Sequence, residues 1–261
     1  MTATARLLEQ RSVGHVKLRM EADGIAVMRE AGSAKCRLPR GSTEAILINT
    51  SGGLAGGDSV HIEAACGQGA ELVLTSQTAE RVYRTLGPAA EVKVHLAAGR
   101  GAKLSWLPQE TILFENSSLH RSFVVDLADD ATFLAVEPMV FGRHEMGERV
   151  STLMLQDRRL VRQGGKLIHA ENMRIGPHWT NSKATFADYC AMATLLLVSP
   201  KAESLLEPLR AVLGVNDGAS FWNGKLVARL LAKDGFHLRK TLIQALSVCV
   251  GRENVPKTWT F

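Results

Sequence analysis

Residues 46–64 read ILINTSGGLAGGDSVHIEA, an apolar run that enters a glycine-rich bend and leaves as a second, alternating run. A phosphate-binding loop would place Lys-Ser or Lys-Thr after the last glycine, where this chain has Asp58, whose carboxylate repels phosphate. A dinucleotide-binding fingerprint would continue into a helix, whereas the residues after Asp58 alternate as a strand does. The stretch therefore predicts a strand–turn–strand unit. Two roles for Asp58 stay open, namely bonding its own backbone in the turn or serving a site.

Four glycines in six residues indicate positive φ angles or close approach of another backbone segment. They are Gly52, Gly53, Gly56 and Gly57.

Short runs and turns continue through the first 198 residues. A hairpin is predicted where Lys17–Glu21 and Ile25–Arg29 flank Asp23-Gly24, and another where Arg159–Arg162 and Lys166–His169 flank Gly164-Gly165. Ala191–Val198 is typical of a buried strand. Because no long helical pattern interrupts the first 180 residues, a doubly wound α/β fold is not expected. We predict a mainly β fold, an elongated stack of short, largely antiparallel strands that is solenoid-like, sandwich-like or barrel-like.

After Pro200 the pattern becomes a mixture of helix and strand. Leucines at helical spacing predict a helix over Lys201–Leu213, with a kink at Pro208. Leu226–Leu231 is predicted as a strand, and His237–Val250 as an amphipathic helix that Gly251 ends. We expect one domain over residues 1–261, with a β body at about 14–198 and a mixed part at about 200–261.

The composition of the chain argues against several classes of function. The net charge is +5, but the basic residues are scattered and only 5% of residues are aromatic, so nucleic-acid binding is not supported. The four cysteines form no C-x-x-C pair and are predicted to be free thiols, mostly buried: Cys36, Cys66, Cys190 and Cys249. The chain shows no apolar signal core and no run of membrane-spanning length, so we expect a soluble, cytoplasmic protein without a membrane partner.

Two polar clusters are candidates for function. Gln109 and Glu110 interrupt an apolar strand predicted over Leu104–Phe114, where they line either an internal path or, as Pro108 favours, the outside of an edge strand. The second cluster is a glycine-framed loop over residues 141–148, which presents Arg143, His144, Glu145 and Glu148. Because no second histidine follows at zincin spacing, a metalloprotease is excluded. A metal path, a partner surface and a solvated loop stay open.

Five segments, in order along the chain, resemble the UreD (UreH) family of urease accessory proteins. They are Asn49–Asp58, Leu74–Arg84, Trp106–Ile112 with Arg121 following, Phe141–Arg143 with Gly147-Glu148, and Pro256–Trp259. Two departures from the family pattern are Ser76-Gln77, where many members have a Thr-Pro type step, and His144–Met146, where smaller residues are common.

The resemblance implies a non-enzymatic maturation factor, a chaperone for nickel insertion. Such a protein would bind a helical accessory protein of the UreF type, which recruits a nickel-carrying GTPase of the UreG type, and the assembly would dock on apo-urease. It also implies an internal, water-filled passage for nickel in transit. Neither a tightly bound cofactor nor a tight metal site is expected, because histidines and cysteines are not clustered in the sequence.

On this interpretation six residues line or support the nickel path: Asp58, Glu110, Glu148, Gln109, Arg143 and His144. The glycines of residues 52–57 are a structural hallmark. The C-terminal helix and tail either dock on the helical partner, through His237, Arg239 and Trp259, or pack on the β body. An alternative from another class is a hydrolase that uses Asp58, Glu110 and a histidine for acid–base chemistry, although no nucleophile motif accompanies them.

Overall fold

The computed structural model describes residues 11–143, 147–177, 185, 186 and 188–259. These residues form a mainly β fold with two α-helices near the C-terminus, as predicted. The strands are β1 (Val13–Glu21), β2 (Gly24–Gly32), β3 (Ala34–Arg37), β4 (Glu44–Asn49), β5 (Ser59–Cys66), β6 (Glu71–Ser76), β7 (Glu80–Val82), β8 (Ala90–Ala98), β9 (Lys103–Leu107), β10 (Thr111–Leu113), β11 (Ser118–Leu127), β12 (Thr132–Phe141), β13 (Met154–Gln163), β14 (Lys166–Ile175), β15 (Ala191–Val198), β16 (Gly218–Trp222) and β17 (Lys225–Ala232). The helices are α1 (Leu206–Val212) and α2 (Gly235–Val250), and 3-10 turns follow at Arg252–Asn254 and Lys257–Trp259.

The chain winds between two sheets as a solenoid does. In the ten-stranded sheet β4, β6, β9 and β12 are neighbours, and in the seven-stranded sheet β5, β8, β11 and β13 are neighbours. Between β4 and β13 these eight strands alternate from one sheet to the other along the sequence. Within each sheet these neighbours therefore pair in parallel, one coil apart, as β5 does with β8 from Ser59↔Glu91 to Cys66↔Ala98.

The prediction that the strands are largely antiparallel is wrong. Of the fifteen pairings among the described strands, nine are parallel and six are antiparallel. The antiparallel pairs lie at the ends of the sheets and include both predicted hairpins, β1–β2 and β13–β14. Tight turns mark only such hairpins, whereas a parallel partner is a full coil away and leaves no local signal.

Two apolar layers hold the stack together. The inner faces of the two sheets pack on each other through residues such as Leu96 and Phe133. The other face of the ten-stranded sheet is covered by α1 and α2, through Leu195, Leu209 and Leu242 among others. Strand β12 contributes to both layers, which explains why nine of its ten residues are buried.

Two predicted elements differ from the structure. The strand predicted over Leu104–Phe114 is broken between β9 and β10, because Pro108 has no N–H to donate and the Gln109 N–H donates to Ser76 Oγ at 2.8 Å. The helix predicted over residues 201–213 begins only at Leu206. Pro208 lies in its first turn, where N–H groups have no intrahelical acceptor, so the predicted kink is not required there.

The two remaining secondary-structure predictions for the C-terminal part, the strand over Leu226–Leu231 and the helix over His237–Val250, are confirmed. Helix α2 covers the predicted residues 237–250 and begins at Gly235, where the Asp234 carboxylate accepts the N–H of His237. It ends at Gly251, which has a φ of 85°.

The four cysteines are free; Cys36 and Cys66 are buried and the other two are half-buried. Within the described ranges, no helix combines the length and the hydropathy needed to cross a membrane.

Candidate functional site

A cavity of about 140 Å³ lies between the two sheets and has room for several water molecules. Three of the segments that carry the family resemblance line it, namely the glycine turn, residues 76–81 and residues 106–111, together with Arg121. Glu137 of β12 completes the polar wall, and valines and an isoleucine of β5 and β8 form an apolar wall. Convergent polar groups in a concave, partly apolar site are typical of ligand binding.

The glycine turn is pressed against the chain around β7. A Cβ on Gly53, which has a φ of 149°, would lie 2.4 Å from Tyr83 Cε2 and 2.8 Å from the carbonyl oxygen of Arg81. A Cβ on Gly56 would lie 1.8 Å from a threonine hydroxyl oxygen. Without these side chains the backbone can approach closely, and the N–H of Leu54 donates to the Arg81 carbonyl at 2.7 Å.

Asp58 closes the glycine bend from within. Its buried carboxylate accepts the N–H of Ser12 through Oδ1 and the N–H of Ala55 through Oδ2, both at 2.8 Å. Both oxygens therefore bind backbone, and the side chain is not part of the cavity lining. Of the two roles that the sequence left open, this geometry favours the structural one.

Glu80 lines the cavity beside the glycine turn, a position that the sequence analysis missed. Asn49 Nδ2 donates to both carboxylate oxygens, at 3.2 and 3.1 Å, and to the carbonyl oxygen of Gly53 at 3.2 Å. Burial raises the pKa of Glu80 to about 7, against the opposing effect of the Asn49 hydrogen bond. The residue lies within a segment of the resemblance, but no sequence motif distinguishes it from an exposed glutamate.

Gln109 and Glu110 join the cavity to the C-terminal helix. Arg239 of α2 donates to both Glu110 oxygens, from Nε at 3.0 Å and from Nη2 at 2.8 Å, and also to Gln109 Oε1. Gln109 Nε2 donates to the carbonyl oxygen of Thr258 at 2.8 Å, and the side chain lines the cavity. Glu110 is therefore compensated by an arginine, while Gln109 contacts both the tail and the cavity.

The three residues predicted to bind a partner lie in different environments. Trp259 is fully buried and donates from Nε1 to the carbonyl oxygen of Leu107 at 2.9 Å, so it lies in the fold and not on a docking surface. Of the two roles that the sequence left open for the tail, this geometry favours packing on the β body, because the tail folds back onto β9 and the indole N–H donates to a carbonyl there. Arg239 points toward Glu110, whereas His237 remains exposed at the start of α2.

Glu148 and Arg143 close a loop beyond the cavity lining. The Glu148 carboxylate accepts the backbone N–H and the Nε of Arg143, both at 2.9 Å, and the N–H of Glu115 at 3.3 Å. The guanidinium of Arg143 lies 4.7 Å from the centroid of the Phe114 ring. The third predicted residue of this loop, His144, lies outside the described residues.

A buried charge network borders the cavity through Arg121 and Glu137. Arg121 donates to Asp157 from Nε at 3.0 Å and from Nη2 at 2.7 Å, and its Nη1 lies 2.5 Å from Glu137 Oε2. Trp106 Nε1 donates to the other Glu137 oxygen at 2.6 Å, and Arg159 also pairs with Asp157. Burial opposes ionisation of Asp157, but the charges of Arg121 and Arg159 outweigh it and lower its pKa to about 2.

The described residues contain no group of three or more histidine, cysteine or acidic side chains placed to hold a metal ion. The cavity offers separate carboxylate, amide and carbonyl oxygens instead. Such oxygen donors suit weak, exchangeable contacts with a hydrated divalent cation and do not make a chelate.

Comparison with known proteins supports the family resemblance of the five sequence segments. The family model described as UreD urease accessory protein matches residues 12–260. A urease accessory protein UreD of Mesorhizobium japonicum is 45% identical over an alignment of 267 positions, which covers 97% of this chain and 95% of the relative. Relatives of the same name from Agrobacterium fabrum (45% identical, covering 88% of this chain and 83% of the relative) and, as UreD 1, from Brucella abortus (44%, covering 90% and 88%) also match. The chain belongs to the UreD urease accessory protein family.

Proposed function

We propose that this chain is a non-catalytic factor in urease maturation that passes nickel through its interior. It would link apo-urease to a helical accessory protein of the UreF type and to a nickel GTPase of the UreG type. The observation that carries the proposal is the cavity between the sheets, because three of the five segments that resemble the family line its wall. A purely structural use of those segments would not require them to surround a polar space.

The chemistry of the wall suits nickel as a cargo. Glu80, Asn49 and Gln109 present oxygen atoms and amide groups to the cavity, and water fills the remaining coordination positions of a cation in transit. Asp58 and Glu110 would support the path without lining it. Asp58 fixes the glycine bend by accepting the N–H of Ala55, and Glu110 pairs with Arg239 of α2. Glu148 and Arg143 would support it more remotely, by fixing the loop after β12.

A groove between α1 and α2 is the proposed docking surface for the helical partner. Ala211 and Val212 of α1 and Ile243 and Val248 of α2 give it an apolar floor, and Lys240 gives it a basic edge. Its volume is about 740 Å³. An apolar groove between two helices fits the apolar face of a partner helix. The buried side of α2, with Arg239, holds the β body instead.

Expressing urease with and without this chain, together with the other accessory proteins, tests the proposed function. Activity and nickel content of urease should fall to background without the chain. Ala211→Phe, which places a bulky ring in the groove, should abolish co-purification with the helical partner, whereas Ala31→Phe on exposed β2 should not. Full urease activity in the absence of the chain would overturn the maturation role. Unchanged co-purification of the Ala211→Phe chain would remove the groove from the interface.

The hydrolase alternative has less support. It requires Asp58, Glu110 and a histidine to share one site, but Asp58 binds two backbone N–H groups and Glu110 is paired with Arg239. Neither carboxylate is left available for proton transfer.

A further inference from the structure

The described lining of the cavity contains two acidic side chains, Glu80 and Glu137. They differ in how their charges are compensated. Glu137 receives the indole N–H of Trp106 and the guanidinium of Arg121 at opposite oxygens. It is neutralised within the protein and has no capacity left for a cationic ligand.

Glu80 has no such partner. Among the described residues, no lysine, arginine or histidine nitrogen forms an ion pair with its carboxylate within 4.0 Å. Its side-chain hydrogen-bond donor is the neutral amide of Asn49. The nearby charges are Arg81 on its own strand, which favours the ionised form, and Asp58 of the glycine turn, which opposes it.

A second oxygen meets Glu80 at the same point of the wall. Asn49 Nδ2 donates to the carbonyl oxygen of Gly53 as well as to Glu80, and Ser51 Oγ donates to the same carbonyl oxygen at 2.9 Å, so this carbonyl oxygen accepts two hydrogen bonds. The carboxylate is only partly exposed, and burial holds its pKa near 7, which means that its charge is poorly solvated by water. A partly buried anion of this kind is stabilised by a bound cation.

We propose that the Glu80 carboxylate is the point of the cavity at which a divalent cation in transit is bound, with water as its further ligands. The inference rests on the proposed nickel passage and specifies the residue that contacts the cargo. One carboxylate with water binds a divalent cation weakly and releases it, as a transit site requires. The paired Glu137 and Arg121 beyond it provide no second site.

Nickel titration of the purified full-length chain tests the inference directly. Glu80→Gln keeps an oxygen that can accept the Asn49 hydrogen bond, so the turn is expected to fold normally, and thermal melting checks this. Glu91→Gln, on the exposed side of β8, is the matched control. We expect calorimetric titration with Ni²⁺ alone to give a Kd that Glu80→Gln raises about tenfold or more and that Glu91→Gln leaves unchanged.

Equal Kd values for Glu80→Gln and the wild-type chain, or equal weakening by both variants, would overturn the inference. Absence of measurable Ni²⁺ binding by the wild-type chain would overturn it as well. The titration contains no urease, so its outcome is independent of the maturation assay. Failure of the wild-type chain to support urease maturation, with nickel binding that still depends on Glu80, would overturn the proposed function and leave the binding site in place.

Discussion

Two guanidinium groups surround one fully buried carboxylate behind the cavity wall. Asp157 on β13 pairs with Arg121 of β11 and with Arg159 of its own strand, and all three side chains are at most 7% exposed. Pairing buried charges costs desolvation energy, so such a network adds little net stability. Removing one member is costly, however, because it leaves uncompensated charge in the interior.

Asp157→Asn should therefore destabilise the fold by about 3–5 kcal/mol, because two buried arginines lose the anion that they share. Urea unfolding of the purified chain measures this change. Asp126→Asn is the control, since Asp126 is about half exposed and pairs with His95 on the surface, and it should cost about 1 kcal/mol or less. Equal losses in the two variants would show that the network contributes no more than a surface pair.

Glu171 gives a prediction about pH. Burial raises its pKa, but the nearby side chain of His169, whose Nε2 lies 3.7 Å from Oε2, and the charges of Arg159 and Arg229 outweigh this and lower the pKa from 4.5 to about 2. Because the folded-state pKa lies below the unfolded one, the ionised group stabilises the fold above pH 4.5, and this contribution is lost as the pH falls through about 2.

Glu171→Gln should reduce the unfolding free energy at neutral pH and lose less stability than the wild-type chain on acidification over that range. Denaturant titrations at a series of pH values measure the two slopes. The exposed Glu203→Gln should keep the wild-type acid slope. A wild-type slope in Glu171→Gln would contradict the assignment.

At the scale of elements, α2 and the C-terminal 3-10 turn are fastened to the broken strand between β9 and β10. Arg239 binds Glu110, the Thr258 carbonyl accepts from Gln109, and Trp259 donates to Leu107. The break at Pro108 exposes backbone and polar side chains that a continuous strand would have used in its ladder. The tail supplies their partners, so it is part of the cavity wall's support.

Trp259→Ala should cost about 3–5 kcal/mol, since it removes a fully buried indole and leaves the Leu107 carbonyl without its donor. Thermal or urea unfolding measures the loss. Phe236→Ala, at a side chain that is 74% exposed, should be nearly neutral. A Trp259→Ala chain of normal stability that fails to bind the helical partner would instead return Trp259 to the interface.

At the scale of the whole molecule, the local parts of the fold could be predicted and the long-range parts could not. Asp23-Gly24 and Gly164-Gly165 predicted their hairpins because two-residue turns have strong sequence preferences. Parallel pairing of β5 with β8 leaves no such signal, since the partner is a coil away. The resemblance identified segments of the cavity wall, but not that Glu80 would face the cavity while Glu110 would bind Arg239. The direction of the Glu110 side chain depends on the break at Pro108, between β9 and β10.

A plugged cavity tests the proposed passage of nickel to urease. Ala79→Phe would place a phenyl ring in the cavity beside Glu80, while Ala31→Phe adds the same bulk on exposed β2. The measurement is the nickel content of urease purified after maturation with each chain, once co-purification shows that the accessory complex has assembled. We predict that Ala79→Phe lowers the nickel content and that Ala31→Phe does not. Full nickel content with an intact Ala79→Phe complex would contradict passage through the cavity.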